Sequence, residues 1–194
     1  MKRLYVILIW TALILALGLP IGIAATSPFL AWRTPIYIAG CFAGIFALTL
    51  LLIQPLLAMR VILGLRPRLA RQLHVVLGAA LVFSVIAHVG LLWITSPPDI
   101  IDALLFRSPT PFAPWGVVAM WAVISSALIA AFRRILRRNG VNWIMLHIAL
   151  AMIVVVGTVI HATLIEGLME KISKIALCAL ILLAAGWLVC KRCG

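Results

Sequence analysis

Six apolar runs divide the chain, at about Leu4–Ala25, Pro35–Leu57, Leu69–Thr95, Trp115–Phe132, Val141–Ile165 and Ile172–Val189. Each reaches or approaches the roughly 20 residues that a helix needs to cross a bilayer. In hydrocarbon each has to be helical, because backbone N–H and C=O groups find no water to bond there. The pattern therefore predicts an all-α integral membrane protein, a six-transmembrane-helix bundle. The breaks carry turn chemistry. Pro67 precedes the third run, as proline does at a helix start. Ser96-Pro97-Pro98 ends that run, and Asn139-Gly140 precedes the fifth.

The first run also has the flavour of a signal peptide, with Lys2 and Arg3 before it and the small residues Gly22, Ala24 and Ala25 at its end. Its apolar stretch exceeds the roughly 7–15 residues of a signal peptide's core, which favours a retained helix. One domain over residues 1–194 is expected. No sequence repeat stands out beyond the histidine spacing described below, and no segment is of low complexity.

Composition sharpens this picture. Of 194 residues, 66% are hydrophobic and only 10% charged, and the mean hydropathy is +1.27. A soluble domain of this size cannot hide so much apolar surface. The spans consume nearly all the residues, leaving no room for a nucleotide-binding domain. No glycine-rich phosphate loop follows a strand.

A net charge of +12 raises the question of nucleic acid. The placement answers it: the basic residues sit in short clusters between apolar runs, as topology signals do, so no nucleic-acid partner is expected. With the N-terminus in the cytoplasm, that side receives 12 basic residues and no acid, and the outer side 4 basic and 4 acidic residues. The bias places both termini inside. Trp32, Trp93 and Trp115 then fall near the outer boundary and Trp143 near the inner one. The expected location is the inner (plasma) membrane of a bacterium, as a multi-pass protein.

Cys41 and Cys178 lie within apolar segments and read as small hydrophobic residues. Cys190 and Cys193 form a C-x-x-C at the C-terminus. Such a pair serves as half a metal site or as a redox pair. With no second pair and no thioredoxin-like context, a reduced cytoplasmic tail is the simpler reading.

The candidate chemistry lies in the histidines. There are four, all inside predicted spans: His74 and His88 in the third, His147 and His161 in the fifth. Each pair is separated by 14 positions. Fourteen helical residues leave a residual rotation of about 40° and a rise of roughly 21 Å, so both members of a pair share one face. The third and fifth spans run in the same direction, which matches His74 with His147 in depth on the inner side and His88 with His161 on the outer side. Two facing imidazoles at one depth suit the axial positions of a heme iron. Two layers predict two b-type hemes between these helices, with the electron hopping from one macrocycle to the other.

The neighbours agree. One turn from each histidine toward the bilayer centre stand Gly78, Ser84, Ala151 and Gly157, all small, where a large side chain would collide with a porphyrin. Small residues equally permit close helix packing. Leu81 and Val154 stand at the midpoints of the pairs, placed to keep the gap dry. Arg71, one turn before His74, and Arg68, one turn further back, suit the propionates of the inner heme. Topology-setting charge explains them equally well. On the outer side the candidates are Arg107 and Lys171, while Glu166 and Glu170 read as solvated loop charges. The blander reading of a membrane histidine is a hydrogen bond to a neighbouring helix. Four of four in two identically spaced pairs outweighs it, because intramembrane ionisable residues are costly and usually functional. A single heme or another metal role takes most of what remains.

At these residues the chain resembles the ferric reductase-like transmembrane domain, shared by ferric reductases, NADPH oxidases and the heme-binding membrane subunit of periplasmic methionine sulfoxide reductase. The matching stretches are Arg66-Pro67-Arg68-Leu69-Ala70-Arg71-Gln72-Leu73-His74 with His88, and His147 with Gly157-Thr158-Val159-Ile160-His161-Ala162. The resemblance implies six helices over nearly the whole chain and heme ligation by His74, His88, His147 and His161. Large members of the family continue into a cytoplasmic flavin and nicotinamide module, whereas this sequence stops at Gly194. Electrons are therefore expected from a separate cytoplasmic flavoprotein reductase or from membrane quinol. The expected outer-face acceptor is ferric iron, oxygen or a periplasmic redox protein.

No side chain is expected to act as acid, base or nucleophile; the cofactors carry the chemistry, and the chain reads as the electron-transfer subunit of an oxidoreductase. Two other readings stand beside this one. A quinol-oxidising cytochrome b also carries histidines spaced by 14 on two parallel helices, in a longer chain. A non-redox, metal-binding membrane protein would use the histidines as transient ligands.

Overall fold

A computed structural model describes the backbone from Lys2 to Cys193 and the side chains from Arg3 to Lys191. Its described residues form α1 (Lys2–Ala25), α2 (Pro35–Met59), α3 (Pro67–Thr95), α4 (Pro97–Leu104), α5 (Ala113–Ala131), α6 (Arg133–Arg138), α7 (Trp143–Leu164) and α8 (Lys171–Cys193), with no strand among them. Six of these, all but α4 and α6, are long and apolar enough to cross a membrane. The protein is a multi-pass helical membrane protein, and its solvent is lipid. Phe83 and Leu183, exposed at 72% and 71%, would be a liability in water and are ordinary lipid-facing side chains in a bilayer.

The ends of the spans follow local chemistry. The second span starts where the Thr34 hydroxyl accepts from Tyr37 N and proline occupies the first turn. It stops at Arg60, which adopts the left-handed conformation (φ 56°) and donates its N–H back to the Leu56 and Leu57 carbonyls. α3 begins at Pro67, two residues before the apolar run. α7 begins at Trp143 because the Asn142 side chain accepts from Met145 N at 3.3 Å. The loop before it turns at Gly140, with φ +73°. Two short helices fall where sequence reasoning expected loops. In α4, Pro97 and Pro98 open the first turn, and the Ser96 hydroxyl donates to Asp99 Oδ2 at 2.6 Å. α6 is the run Arg133-Arg134-Ile135-Leu136-Arg137-Arg138.

The chain divides into two compact units, Met1–Thr95 with Glu166–Gly194, and Ser96–Ile165. In the first, α2 packs against α1, α3 and α8 and is the most buried of the six spans. Ala24, Ile45 and Leu168 form one buried cluster, and Leu57, Ile62 and Ala70 another. The Trp10 indole N–H donates to the Leu63 carbonyl at 3.2 Å, tying α1 to the α2–α3 turn. At the start of α8 the Glu170 carboxylate accepts from Ile172 N and Ser173 N, both at 2.8 Å. Those backbone donors hold its carboxyl below the usual carboxylate range. Lys171 is exposed, but Lys174, counted by sequence among the outer charges, is buried.

In the second unit α5 packs along α7, with α4 against α5 and α6 at the other end of the pair. A Cβ on Gly157 would lie 3.0 Å from the Trp115 carbonyl oxygen and 3.2 Å from Ala119 Cβ, so glycine sets how closely α5 and α7 approach.

Candidate functional site: four histidines tied to backbone carbonyls

Each histidine sits on the second helix of an antiparallel hairpin and reaches back to the first. In the α2–α3 hairpin, His88 Nδ1–H donates to the Gly40 carbonyl at 2.8 Å. Further along the pair, His74 Nδ1 lies 3.3 Å from the Gln54 carbonyl. In the α5–α7 hairpin, His161 Nδ1–H donates to the Phe112 carbonyl at 2.9 Å. His147 Nδ1 lies 2.8 Å from the Ser126 hydroxyl oxygen and 3.3 Å from the Ser126 carbonyl.

The acceptors repeat as the histidines do. Gly40 and Gln54 are 14 apart, and so are Phe112 and Ser126. Antiparallel helices rise at the same rate, so 14 residues on one match 14 on the other over roughly 21 Å. From one hairpin to the next the acceptors are offset by 72 positions and the histidines by 73. The two hairpins are thus built on one plan. Sequence reading found no repeat beyond the histidines, and the structure adds a structural one to it. The other half of the repeat is made of backbone carbonyls, which every residue type carries.

Two glycines belong to the same plan. Gly44 and Gly116 each follow the acceptor of His88 or His161, Gly40 or Phe112, by one helical turn. A Cβ on Gly44 would stand 2.8 Å from His88 Nδ1, and one on Gly116 would stand 2.6 Å from His161 Nδ1. The imidazoles lie flat against helix backbone that only glycine leaves bare. Sequence reasoning missed both residues; their shared 72-residue offset is the signal that finds them once the acceptors are known.

His74 and His147 differ in having a polar side chain beside Nδ1. At His147 it is the Ser126 hydroxyl. At His74 it is the Gln54 amide. With its nitrogen toward the ring, that amide donates to His74 Nδ1 at 2.9 Å and to the His74 carbonyl at 3.3 Å, and its oxygen accepts from Gly78 N at 3.1 Å. Turned over, it offers its oxygen to a protonated Nδ1 instead, so Gln54 accommodates either tautomer.

At His88 and His161 the partner is a carbonyl, which accepts only, so its bond to Nδ1 places the ring proton there and makes Nε2 the basic nitrogen. That is the tautomer of a metal-ligating histidine, whose other nitrogen is held by a carbonyl or carboxylate. A neutral imidazole held in this way is a donor of the kind that heme iron takes. Aromatic neighbours add orientation: Phe112 meets His161 edge-on at 5.8 Å between centroids, and Trp143 lies tilted at 6.4 Å from His147. Among the described residues no three His, Cys, Asp or Glu side chains gather as the ligand shell of one ion.

The remaining sequence candidates fall as follows. Gly78 faces α2, with Gln54 Oε1 at 3.7 Å from where its Cβ would be, and Gly157 faces α5. At Gly157 the tight approach of α5 requires a small residue, whereas a Cβ at Gly78 would make only an ordinary contact. Ser84 is buried and donates to the Ala80 carbonyl at 2.8 Å, and Ala151 is half-buried. The midpoint residues Leu81 and Val154 are both buried. Arg68 and Arg71 are exposed in the first turns of α3, at the His74 end. Cys178 is buried, and Cys41 packs against the Ala24–Ile45–Leu168 cluster. Cys190 is exposed; the side chain of Cys193 lies outside the described residues.

No family model, no curated protein and no solved structure matches the chain.

Proposed function

We propose that this protein is a two-heme b-type membrane cytochrome that moves electrons across the bilayer. In this reading His74 and His147 are the axial ligands of the inner heme, and His88 and His161 those of the outer one. The observation that carries it is the repeated tie between Nδ1 and a hairpin carbonyl at all four histidines. Such ties orient an imidazole and raise the basicity of Nε2.

Heme, when bound, supplies one-electron chemistry at a potential set by its axial ligands and their hydrogen bonds. The chain's own residues do the rest. The Gly40 and Phe112 carbonyls hold the His88 and His161 rings with a proton on Nδ1, and the Gln54 and Ser126 carbonyls lie 3.3 Å from Nδ1 of His74 and His147. Gly44 and Gly116 make room for the two outer rings. Leu81 and Val154 exclude water at the midpoints. Arg68 and Arg71 supply positive charge for propionates at the inner end. The electron donor is a cytoplasmic flavoprotein or membrane quinol, and the acceptor an outer-face oxidant: ferric iron, oxygen or a periplasmic redox protein.

The test is a dithionite-reduced minus oxidised absorption spectrum of the purified chain, with heme quantified. The reading expects low-spin b-type bands, two hemes per chain, and loss of one heme in His88→Ala or His161→Ala. A chain that carries no heme after heme-replete expression would overturn it and leave the four histidines as hairpin ties.

A further inference from the structure

The most concentrated charge in the molecule lies away from the histidine carbonyl ties. Arg133, Arg134, Arg137, Arg138 and Trp143 line a half-open cavity of about 410 Å³ in the second unit. All four arginines belong to the six-residue helix α6, between the end of α5 and the start of α7. Positions three and four apart share a helix face, which places Arg134 with Arg137 and Arg138, and Arg133 with Arg137; all four are exposed.

Nothing in the sequence neighbourhood neutralises them. The chain has four acidic residues. Asp99 and Asp102 sit on α4, before the opposite end of α5, and Glu166 and Glu170 belong to the other unit. The hydrogen bond from the four side chains is one from Arg133 Nη1 to the Ala130 carbonyl, at 2.9 Å. Forked guanidinium donors converging on one space are the chemistry that binds phosphate oxygens.

The surroundings say which phosphate. α5 and α7 are both spans, so a cavity at their joined ends lies at headgroup depth. The Trp143 indole forms part of its lining, and indoles favour that interface. Ile135, between the two arginine pairs, is 56% exposed. An apolar side chain projecting there suits acyl chains better than water.

We propose that the α5–α6–α7 corner is a binding site for the phosphodiester headgroup of an anionic membrane lipid. The ligand is of the cardiolipin or phosphatidylglycerol class, held by Arg134, Arg137 and Arg138 with Trp143 beside it. The site is independent of heme.

The test is native mass spectrometry of the full chain in mild detergent, with cardiolipin, phosphatidylglycerol or phosphatidylcholine of matched chains added. The wild type is expected to retain the anionic lipids roughly tenfold better than phosphatidylcholine. An Arg134→Gln/Arg137→Gln/Arg138→Gln variant loses that preference, and Arg3→Gln/Arg66→Gln, also basic but outside the cavity, keeps it. Because removing charge can disturb insertion, the same three positions are also changed to lysine. Lysine keeps the charge but not the fork, and retention is expected to drop severalfold. Equal loss in the cavity and control variants, or full retention in the lysine variant, would reduce the corner to diffuse charge. Displacement of the lipid by inorganic phosphate at equal concentration would make the ligand a soluble anion and overturn the lipid assignment.

Discussion

His161 and Gly116 are locked together: a Cβ on Gly116 would stand 2.6 Å from both Nδ1 and Cε1 of the imidazole. The ring cannot simply swing away, because its Nδ1–H is committed to the Phe112 carbonyl at 2.9 Å. Gly116→Ala must therefore break that bond or push α5 from α7, at an overpacking cost of about 1–3 kcal/mol. On the proposed two-heme reading, the expected outcome is a chain that inserts but loses the heme assigned to His88 and His161, read as one heme per chain by pyridine hemochrome assay. Gly44→Ala, with its Cβ 2.8 Å from His88 Nδ1, should remove the same heme. Two hemes in both variants would show that the glycines do not serve the ligands.

His74 and His147 are held differently and, on the same two-heme reading, their heme should answer to different changes. Ser126→Ala and Gln54→Met remove the polar side chains beside His147 and His74. Loss of such a second contact weakens metal affinity by about 10–100-fold in other metal sites. Redox titration is expected to shift the potential of the inner heme, or release that heme, while the outer one keeps its midpoint. Equal shifts in both hemes would argue against a side-specific role.

Helix packing offers a test that needs no cofactor. Gly157→Ala forces a methyl to 3.0 Å from the Trp115 carbonyl and 3.2 Å from Ala119 Cβ, whereas nothing lies within 4 Å of a Cβ at Gly186. Thermal unfolding in detergent should show Gly157→Ala destabilised. Gly186→Ala should be neutral or stabilised, by up to about 1 kcal/mol from helix propensity. The opposite order would mean that α5 and α7 do not rely on close approach at Gly157.

Glu170 predicts a pH dependence confined to the start of α8. Its carboxylate accepts from Ile172 N and Ser173 N, which depresses its pKa in the folded chain. A depressed carboxyl stabilises fully above its unfolded value and loses that contribution as pH falls through the folded one. The protection of the amides in the first turn of α8, relative to their intrinsic exchange rates at each pH, should therefore fall on acidification below the usual glutamate range. Glu170→Gln should exchange faster at neutral pH and lose the acid response. A first turn whose protection is indifferent to pH in the wild type would discard the carboxylate as its cap.

Much of the fold was legible because lipid leaves a chain few choices. An apolar run of about 20 residues in hydrocarbon can only be a helix, and the six runs became the six long helices. α4 and α6 were not legible. One is a proline-started amphipathic turn and the other an arginine-rich segment, and neither composition distinguishes a short helix from a loop. Gly78 and Gly157 were noticed for their size, but their spacing from a histidine did not show that each faces its own hairpin partner.

The sequence by itself determined the membrane environment, the spans and the histidine pairs, since hydropathy and a 14-residue interval are properties of a single helix. Only the tertiary structure decided what each histidine touches, why Gly44 and Gly116 carry no side chain, and that four arginines line one cavity with Trp143. The physical reason is that the histidine partners are backbone carbonyls, chemically alike at every residue. Which carbonyl meets which ring depends on the register of two helices packed together, and that register is written in no single residue.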